Sequence, residues 1–283
     1  MKPESTNDWV TAVNQLQQSG EAYVLITLLG SRGSTPRDSG TKMVVAASGS
    51  FGTIGGGHLE HKAMAIAARM LAGEDEQQRI EHFPLGPSLG QCCGGSTTVL
   101  FESFPANTFN IMLCGAGHVG QALAGILCQL PCRMTWIDSR DNQHPQQLAS
   151  NVQAIVSDSV ADEVAGMPAA SDYLIMTHNH QVDFEILEAV LRRGDAHYVG
   201  LIGSATKWRR FQMRLEHKGY EPDFYQHVRC PVGLAAVPGK RPIEVAVSVA
   251  AEIIAKHHAN KPQKEVQKGV SWRELKQVLD TVE

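Results

Sequence analysis

Apolar positions along the chain change their spacing twice, and the changes divide it into three stretches. In the first, Trp9, Val10, Val13 and Leu16 follow helical spacing behind Asn7, a good helix cap. Tyr23 to Leu29 forms a mostly apolar run of strand length that stops at Gly30. Eight glycines fall from Gly30 to Gly57, which predicts loops and hairpins. Met43 to Ala46 and Phe51 to Ile54 read as strands joined across Ser48-Gly49-Ser50. His58 to Leu71 is an alanine-rich helix ended by Gly73, and Thr97 to Glu102 is another strand. Residues 1–108 therefore predict a compact α+β domain.

From Asn110 the rhythm becomes strand, glycine turn, helix, strand. The apolar run Asn110-Ile111-Met112-Leu113-Cys114 leads into Gly115-Ala116-Gly117-His118-Val119-Gly120, a helix over about 119–130, and a strand from Arg133 to Ile137 closing on Asp138. Further strands are expected at Ala154 to Val156, Tyr173 to Met176 and Tyr198 to Ile202, with a helix from Phe184 to Arg193. Such alternation implies a parallel, doubly wound sheet. Ile243 to Ala255, behind Pro242, is apolar almost all round and predicts a buried helix. Residues 109–258 thus read as a Rossmann-like domain. The fold class is α/β: an N-terminal α+β domain followed by a Rossmann-like doubly wound parallel sheet. Residues 259–283 shift to a polar linker and an amphipathic helix, with a Ser271/Glu274 capping box and Trp272, Leu275, Val278, Leu279 and Val282 on one face.

Composition removes several function classes. A net charge of −4 from 25 Lys+Arg and 29 Asp+Glu leaves no basic footprint for nucleic acid or an anionic membrane. The polar start, Met1 to Asn7, lacks the layout of a signal peptide, and no apolar run approaches the roughly 20 residues that span a bilayer. Six cysteines without such a signal point to cytoplasmic thiols rather than a disulfide framework.

The chemistry concentrates in glycine-rich loops. Gly115, Gly117 and Gly120 match the turn that lets a backbone approach a phosphate, and Asp138 stands where a ribose hydroxyl is accepted, which favours NAD if a dinucleotide binds. Upstream lie Gly55-Gly56-Gly57-His58-Leu59-Glu60 and Gly90-Gln91-Cys92-Cys93-Gly94-Gly95. Glycines beside Cys92 and Cys93 leave the thiols accessible; the competing reading is two small core residues. Cys114 and Cys128 are expected in the core. Arg32, Arg37 and Lys42 ring the first glycine stretch, where arginine suits an oxyanion. Glu60 either accepts from a ligand N–H or complements the helix start. Thr177-His178-Asn179-His180 has the look of a metal motif, but HxHxDH would need aspartate and histidine at 182 and 183, where the chain has Val182 and Asp183. His178 and His180 are instead expected to line a cleft at the carboxyl edge of the sheet. No second cysteine pair stands at zinc spacing.

Taken in order, these segments resemble the xanthine dehydrogenase accessory protein family (XdhC/CoxI-like). The likeness is carried by Gly33-Ser34-Thr35-Pro36-Arg37 with Gly40 and Met43, the glycine-rich loop Gly55 to Glu60, the cysteine-bearing loop Gly90 to Gly95, and the fingerprint. Thr177 to His180 with Asp183, Tyr198 to Ser204, Pro231 to Leu234 and Pro242 to Ala246 complete it. The resemblance implies a chaperone rather than an enzyme. It implies molybdenum cofactor (molybdopterin) as ligand, with xanthine dehydrogenase and a cysteine desulfurase as partners, and a homodimer. It places Cys93 on the molybdenum or sulfur side, with Cys92 as neighbour. Cofactor contacts are expected at Arg37, Gly55, Gly56, Gly57, Glu60, Cys92, Cys93, Gly115, Gly117, Gly120, Asp138, His178 and His180. His58 stands where many relatives carry a small residue or cysteine, so no sulfur relay is placed there. The alternative classes are an NAD(P)-dependent oxidoreductase and an NAD-sensing regulatory protein.

Overall fold

The computed structural model describes residues 8–73, 77–85, 95–259, 270–273 and 276. Asn7, the Gly90–Gly94 stretch with Cys92 and Cys93, and most of the expected C-terminal helix lie outside the described residues. The chain divides into two compact units, Met1–Asn107 with Lys264–Glu283, and Thr108–Gln263.

Helix α1 (Asp8–Ser19), strands β1 (Tyr23–Arg32), β2 (Lys42–Ala46) and β3 (Gly49–Gly52), helix α2 (Gly57–Leu71), and strands β4 (Gln78–Pro84) and β5 (Ser96–Phe104) build the first unit. Its five strands run antiparallel in the order β3-β2-β1-β5-β4. Period-2 alternation divides β1 between two cores. Val24, Ile26 and Leu28 meet Leu59, Ala63, Ile66 and Met70 of α2. On the other face Tyr23 joins Val44 and Ala46 under Leu16 of α1.

Three local readings change. The strand expected to end at Gly30 continues to Arg32 through a register shift between Leu28 and Gly30, which leaves Leu29 exposed. The hairpin turns one step earlier, so β3 already begins at Gly49. Strand β4 is absent from the sequence reading because Ile80 and Phe83 alone are apolar before Pro84; Arg79 and Glu81 satisfy one another instead.

The second unit contains β6 (Asn110–Cys114), α3 (His118–Leu127), β7 (Arg133–Asp138), β8 (Val152–Val156), β9 (Asp172–Ile175), α4 (His180–Arg193), β10 (Tyr198–Leu201), α5 (Ala205–His217) and α6 (Pro242–Ala259). All five strands are parallel, in the order β10-β9-β6-β7-β8. The chain thus builds outward from β6 through β7 and β8, then returns to place β9 on the other side of β6. Both faces are covered, so the strands read as nearly continuous apolar runs. Ile111 and Leu113 face α3 and α6, while Met112 and Cys114 face α4 and α5. No helix among the described residues is long and apolar enough to cross a membrane.

Helix α6 is buried on one side only, a correction to the sequence reading. Ala246, Val249, Ala250 and Ile253 join the core shared with α3, whereas Ile243, Val247 and Ile254 are exposed. Helix α3 ends at Leu127, and Cys128 is its half-buried C-cap rather than a core residue.

Two glycines on α3 give a paired test. A Cβ on Gly120 would stand 2.1 Å from the Gly115 carbonyl oxygen, while one on Gly125 meets nothing within 4 Å. Gly120→Ala is expected to destabilise by about 2 kcal/mol or more. Gly125→Ala should stabilise by up to about 1 kcal/mol through lower unfolded-state entropy. Urea midpoints of the two variants measure the contrast; equal shifts would contradict the packing.

Candidate functional site

In the first unit, three stretches far apart in sequence meet around glycines. Gly55, Gly56 and Gly57 hold φ of 119°, 70° and 62°, a left-handed run that only glycine adopts readily. The turn is clamped by Glu60, whose Oε2 accepts from the Thr53 hydroxyl (2.5 Å) and the amides of Ile54 (3.2 Å) and Gly56 (3.1 Å). That Glu60 oxygen is therefore occupied with shaping the loop. A Cβ on Gly55 would fall 2.5 Å from Pro36 Cγ and 3.6 Å from Arg37 Cγ, so the turn lies directly on the Pro36–Arg37 segment. Gly95 similarly packs on the preceding part of that loop: its added Cβ would stand 2.3 Å from the Arg32 carbonyl oxygen and 2.6 Å from that of Ser34. The Gly95 carbonyl accepts from the Leu85 amide at 2.7 Å. Arg37 is exposed. Lys42 instead bonds Thr27 at 3.0 Å and lies over the Trp9 ring, on the face that α1 covers.

The second unit gathers its expected residues at the carboxyl edge of the parallel sheet. Gly115 leaves β6 with φ 115°, and a Cβ there would come within 2.3 Å of the Met176 carbonyl oxygen and 3.1 Å of Thr177 Cα. The turn after β6 is thereby seated against the end of β9, at the point where the strand order reverses. Gly117 caps α3 without a side-chain hydrogen bond, leaving the first-turn amides directed outward as in anion-binding helix starts. His118, His178 and His180 are exposed at the same edge. Among the described residues no group of three or more His, Cys, Asp or Glu is arranged to hold a metal ion.

Asp138 ends β7 and is only 2% exposed. Its Oδ2 accepts from the Ala116 amide (2.6 Å) and Arg140 Nη2 (2.9 Å). Oδ1 takes the Arg140 amide and Nε, each at 2.9 Å. Four bonds fill the carboxylate, so its partners are the glycine turn and Arg140. Burial alone would raise its pKa, but the Arg140 guanidinium and the two amides outweigh it and hold the carboxyl at about 2.

A second carboxylate was not anticipated as a site residue. Asp183, fully buried in the first turn of α4, accepts the Thr177 amide (2.9 Å) and hydroxyl (2.7 Å) on Oδ1. Its Oδ2 takes Lys207 Nζ at 2.5 Å, and Lys207 also donates to the Ile202 carbonyl at 2.7 Å. One sequence signal existed: Lys207, Phe211 and Leu215 share one face of α5, the buried one.

The depressed Asp138 pKa has a stability consequence. Because the folded-state value lies below the unfolded one, the contribution is complete above about pH 4 and is lost as pH falls towards 2. It amounts to about 2 kcal/mol at neutral pH. Asp138→Asn should therefore be less stable than wild type at pH 7, with the gap closing between about pH 4 and pH 2. Urea unfolding across that range checks it; a constant gap would contradict the assignment.

Comparison with known proteins places this geometry. Residues 16–84 match the XdhC and CoxI family, and residues 111–253 match the XdhC Rossmann domain. The Escherichia coli protein YqeB is 28% identical over 250 residues, covering 86% of this chain and 45% of that protein. The chain thus spans about half the length of that curated relative. A solved Bacillus halodurans structure, described as a xanthine dehydrogenase, has a TM-score of 0.49 at 21% identity, covering 89% of this chain and 98% of that one. A Rossmann-fold NAD(P)-binding family protein from Shigella flexneri has a TM-score of 0.36 at 13% identity, covering 58% of this chain and 100% of the other. With both of its units matched, the chain belongs to the XdhC and CoxI family.

Proposed function

We propose that this chain is an accessory protein that binds molybdenum cofactor, assists its sulfuration with a cysteine desulfurase, and inserts it into xanthine dehydrogenase. The carrying observation is the convergence in the first unit, where Gly55 and Gly95 both pack on the Arg32–Arg37 loop. Cys93, outside the described residues, stands only two positions before Gly95. Membership of the family supports the same reading.

The residues suit an anionic pterin. Arg37 is an exposed guanidinium beside the left-handed glycine turn in the first unit, and in the second unit α3 starts at the glycine cap Gly117. Each is suited, within its own unit, to receive phosphate. Cys93, with Cys92 beside it, is the thiol for the metal or sulfur side. When bound, the cofactor supplies a metal centre at which oxygen is exchanged for sulfur. The second unit offers a ligand edge of its own, made by Gly115, Gly117, Gly120, His178 and His180. Glu60 and Asp138 act one step back, holding Gly56 and Ala116 in place.

A dinucleotide at the Gly115–Gly120 turn is the second reading, favoured by the intact fingerprint. Asp138 weighs against it, since all four of its hydrogen bonds are made within the protein and a ribose diol would have to displace Arg140.

Two cysteine variants test the proposal. Cys93→Ala is expected to lower xanthine dehydrogenase activity in cells supplied with the variant while leaving its melting temperature almost unchanged. Cys114, wholly buried on β6 with its thiol pKa pushed up by burial, should behave in the opposite way. Cys114→Ala is expected to cost about 1–2 kcal/mol of stability and little activation per folded molecule. Full activation by Cys93→Ala, or melting as poor as that of the Cys114 variant, would contradict the role given to the cysteine loop.

A further inference from the structure

Lys207 is 7% exposed, an unusual position for a lysine. Its partner Asp183 is completely buried, and the two lie 24 residues apart on α4 and α5. An ion pair this deep confers little stability over apolar side chains of the same volume. Its value must be sought in what it fixes. Asp183 holds both the amide and the hydroxyl of Thr177, and Lys207 holds the Ile202 carbonyl that follows β10. Thr177 and Met176 in turn form the backbone wall on which Gly115 is seated, too close to admit a Cβ. The loop beyond Thr177 carries His178 and reaches Asn179, whose side chain caps α4 by accepting the Gln181 amide at 2.8 Å.

We infer that Lys207, acting through Asp183 and Thr177, is a positioning residue for the glycine edge: it sets the wall against which the Gly115 turn is held, and so the direction of the α3 first-turn amides. The ligand it positions for is the anionic cofactor proposed above, and that part of the inference rests on that reading. The glycine turn is then gripped from two sides, by Asp138 through the Ala116 amide and by the Lys207–Asp183 pair through Thr177.

The turn carries its own reporter, because Trp136 Nε1 donates to the Gly115 carbonyl at 3.1 Å. Three variants of the full chain are needed, namely Lys207→Met, Thr177→Val, and the apolar double variant Lys207→Met/Asp183→Leu. Glu188→Gln is the control, since Glu188 pairs with Arg192 and Lys218 and touches neither Thr177 nor Lys207. The indole N–H resonance of Trp136, assigned with Trp136→Phe, is expected to move in all three variants and to stay put in the control. Affinity for anaerobically released molybdenum cofactor should fall at least tenfold in the double variant even where its melting temperature equals or exceeds that of wild type. If Lys207→Met fails to fold because Asp183 is left charged and unpaired, the double variant and Thr177→Val decide the matter. An unmoved indole resonance in the folded variants overturns the inference, and so does a double variant that binds cofactor as tightly as wild type. A wild-type chain that takes up no cofactor overturns the functional reading instead, and the indole resonance then decides the positioning role by itself.

Discussion

The second unit depends on one close approach: the backbone of Gly115 lies against Met176 and Thr177 with no room for a side chain. Strand β6 is central, and the chain leaves it first towards β7 and later towards β9, so a gap opens at its carboxyl end. Gly115 closes the floor of that gap, and Gly120 lets the first turn of α3 approach the same peptide. A Cβ at either position would lift the helix start away from the sheet. The core alternation of Ile111, Met112, Leu113 and Cys114 brings β6 to this point with both faces covered. The buried carboxylates Asp138 and Asp183 then bond to the backbone on the two sides of it.

The first unit solves a similar problem with different parts. There the turn precedes a helix packed on an antiparallel sheet, and three successive left-handed glycines replace the strand-to-helix fingerprint. Glu60 plays the part that Asp138 plays in the second unit, a carboxylate bonded to loop amides. In both units a glycine turn packs too closely on a neighbouring segment to admit a Cβ, on the Pro36 ring at Gly55 and on backbone at Gly115, while an acidic side chain holds the turn's amides. Arg37 in one unit and His178 and His180 in the other stay exposed, outside these clamps.

The glycine turns were legible in the sequence because their requirement is steric and local. The sheet of the second unit was legible because a parallel sheet covered on both faces imposes apolar runs at regular intervals. Other features depended on partners distant in the chain. Asp138 was read as a ribose acceptor because its position at the end of β7 is visible, whereas its capture by Arg140 and the Ala116 amide is a matter of side-chain conformation. The Lys207–Asp183 pair joins two helices, and only the apolar spacing around Lys207 hinted at burial. Helix α6 misled for the reverse reason: its residues are apolar on nearly every side, although only one side meets α3. Strand β4 escaped notice because its Arg79–Glu81 pair replaces the apolar alternation that marks a strand.

The central claim is that the ligand is a pterin. It is tested most directly by purifying the full chain anaerobically from cells that make molybdenum cofactor, denaturing and oxidising it, and measuring what it releases. The expected result is the fluorescence of an oxidised pterin in near-equimolar amount. Release of a nicotinamide dinucleotide in that amount, with no pterin, would contradict it.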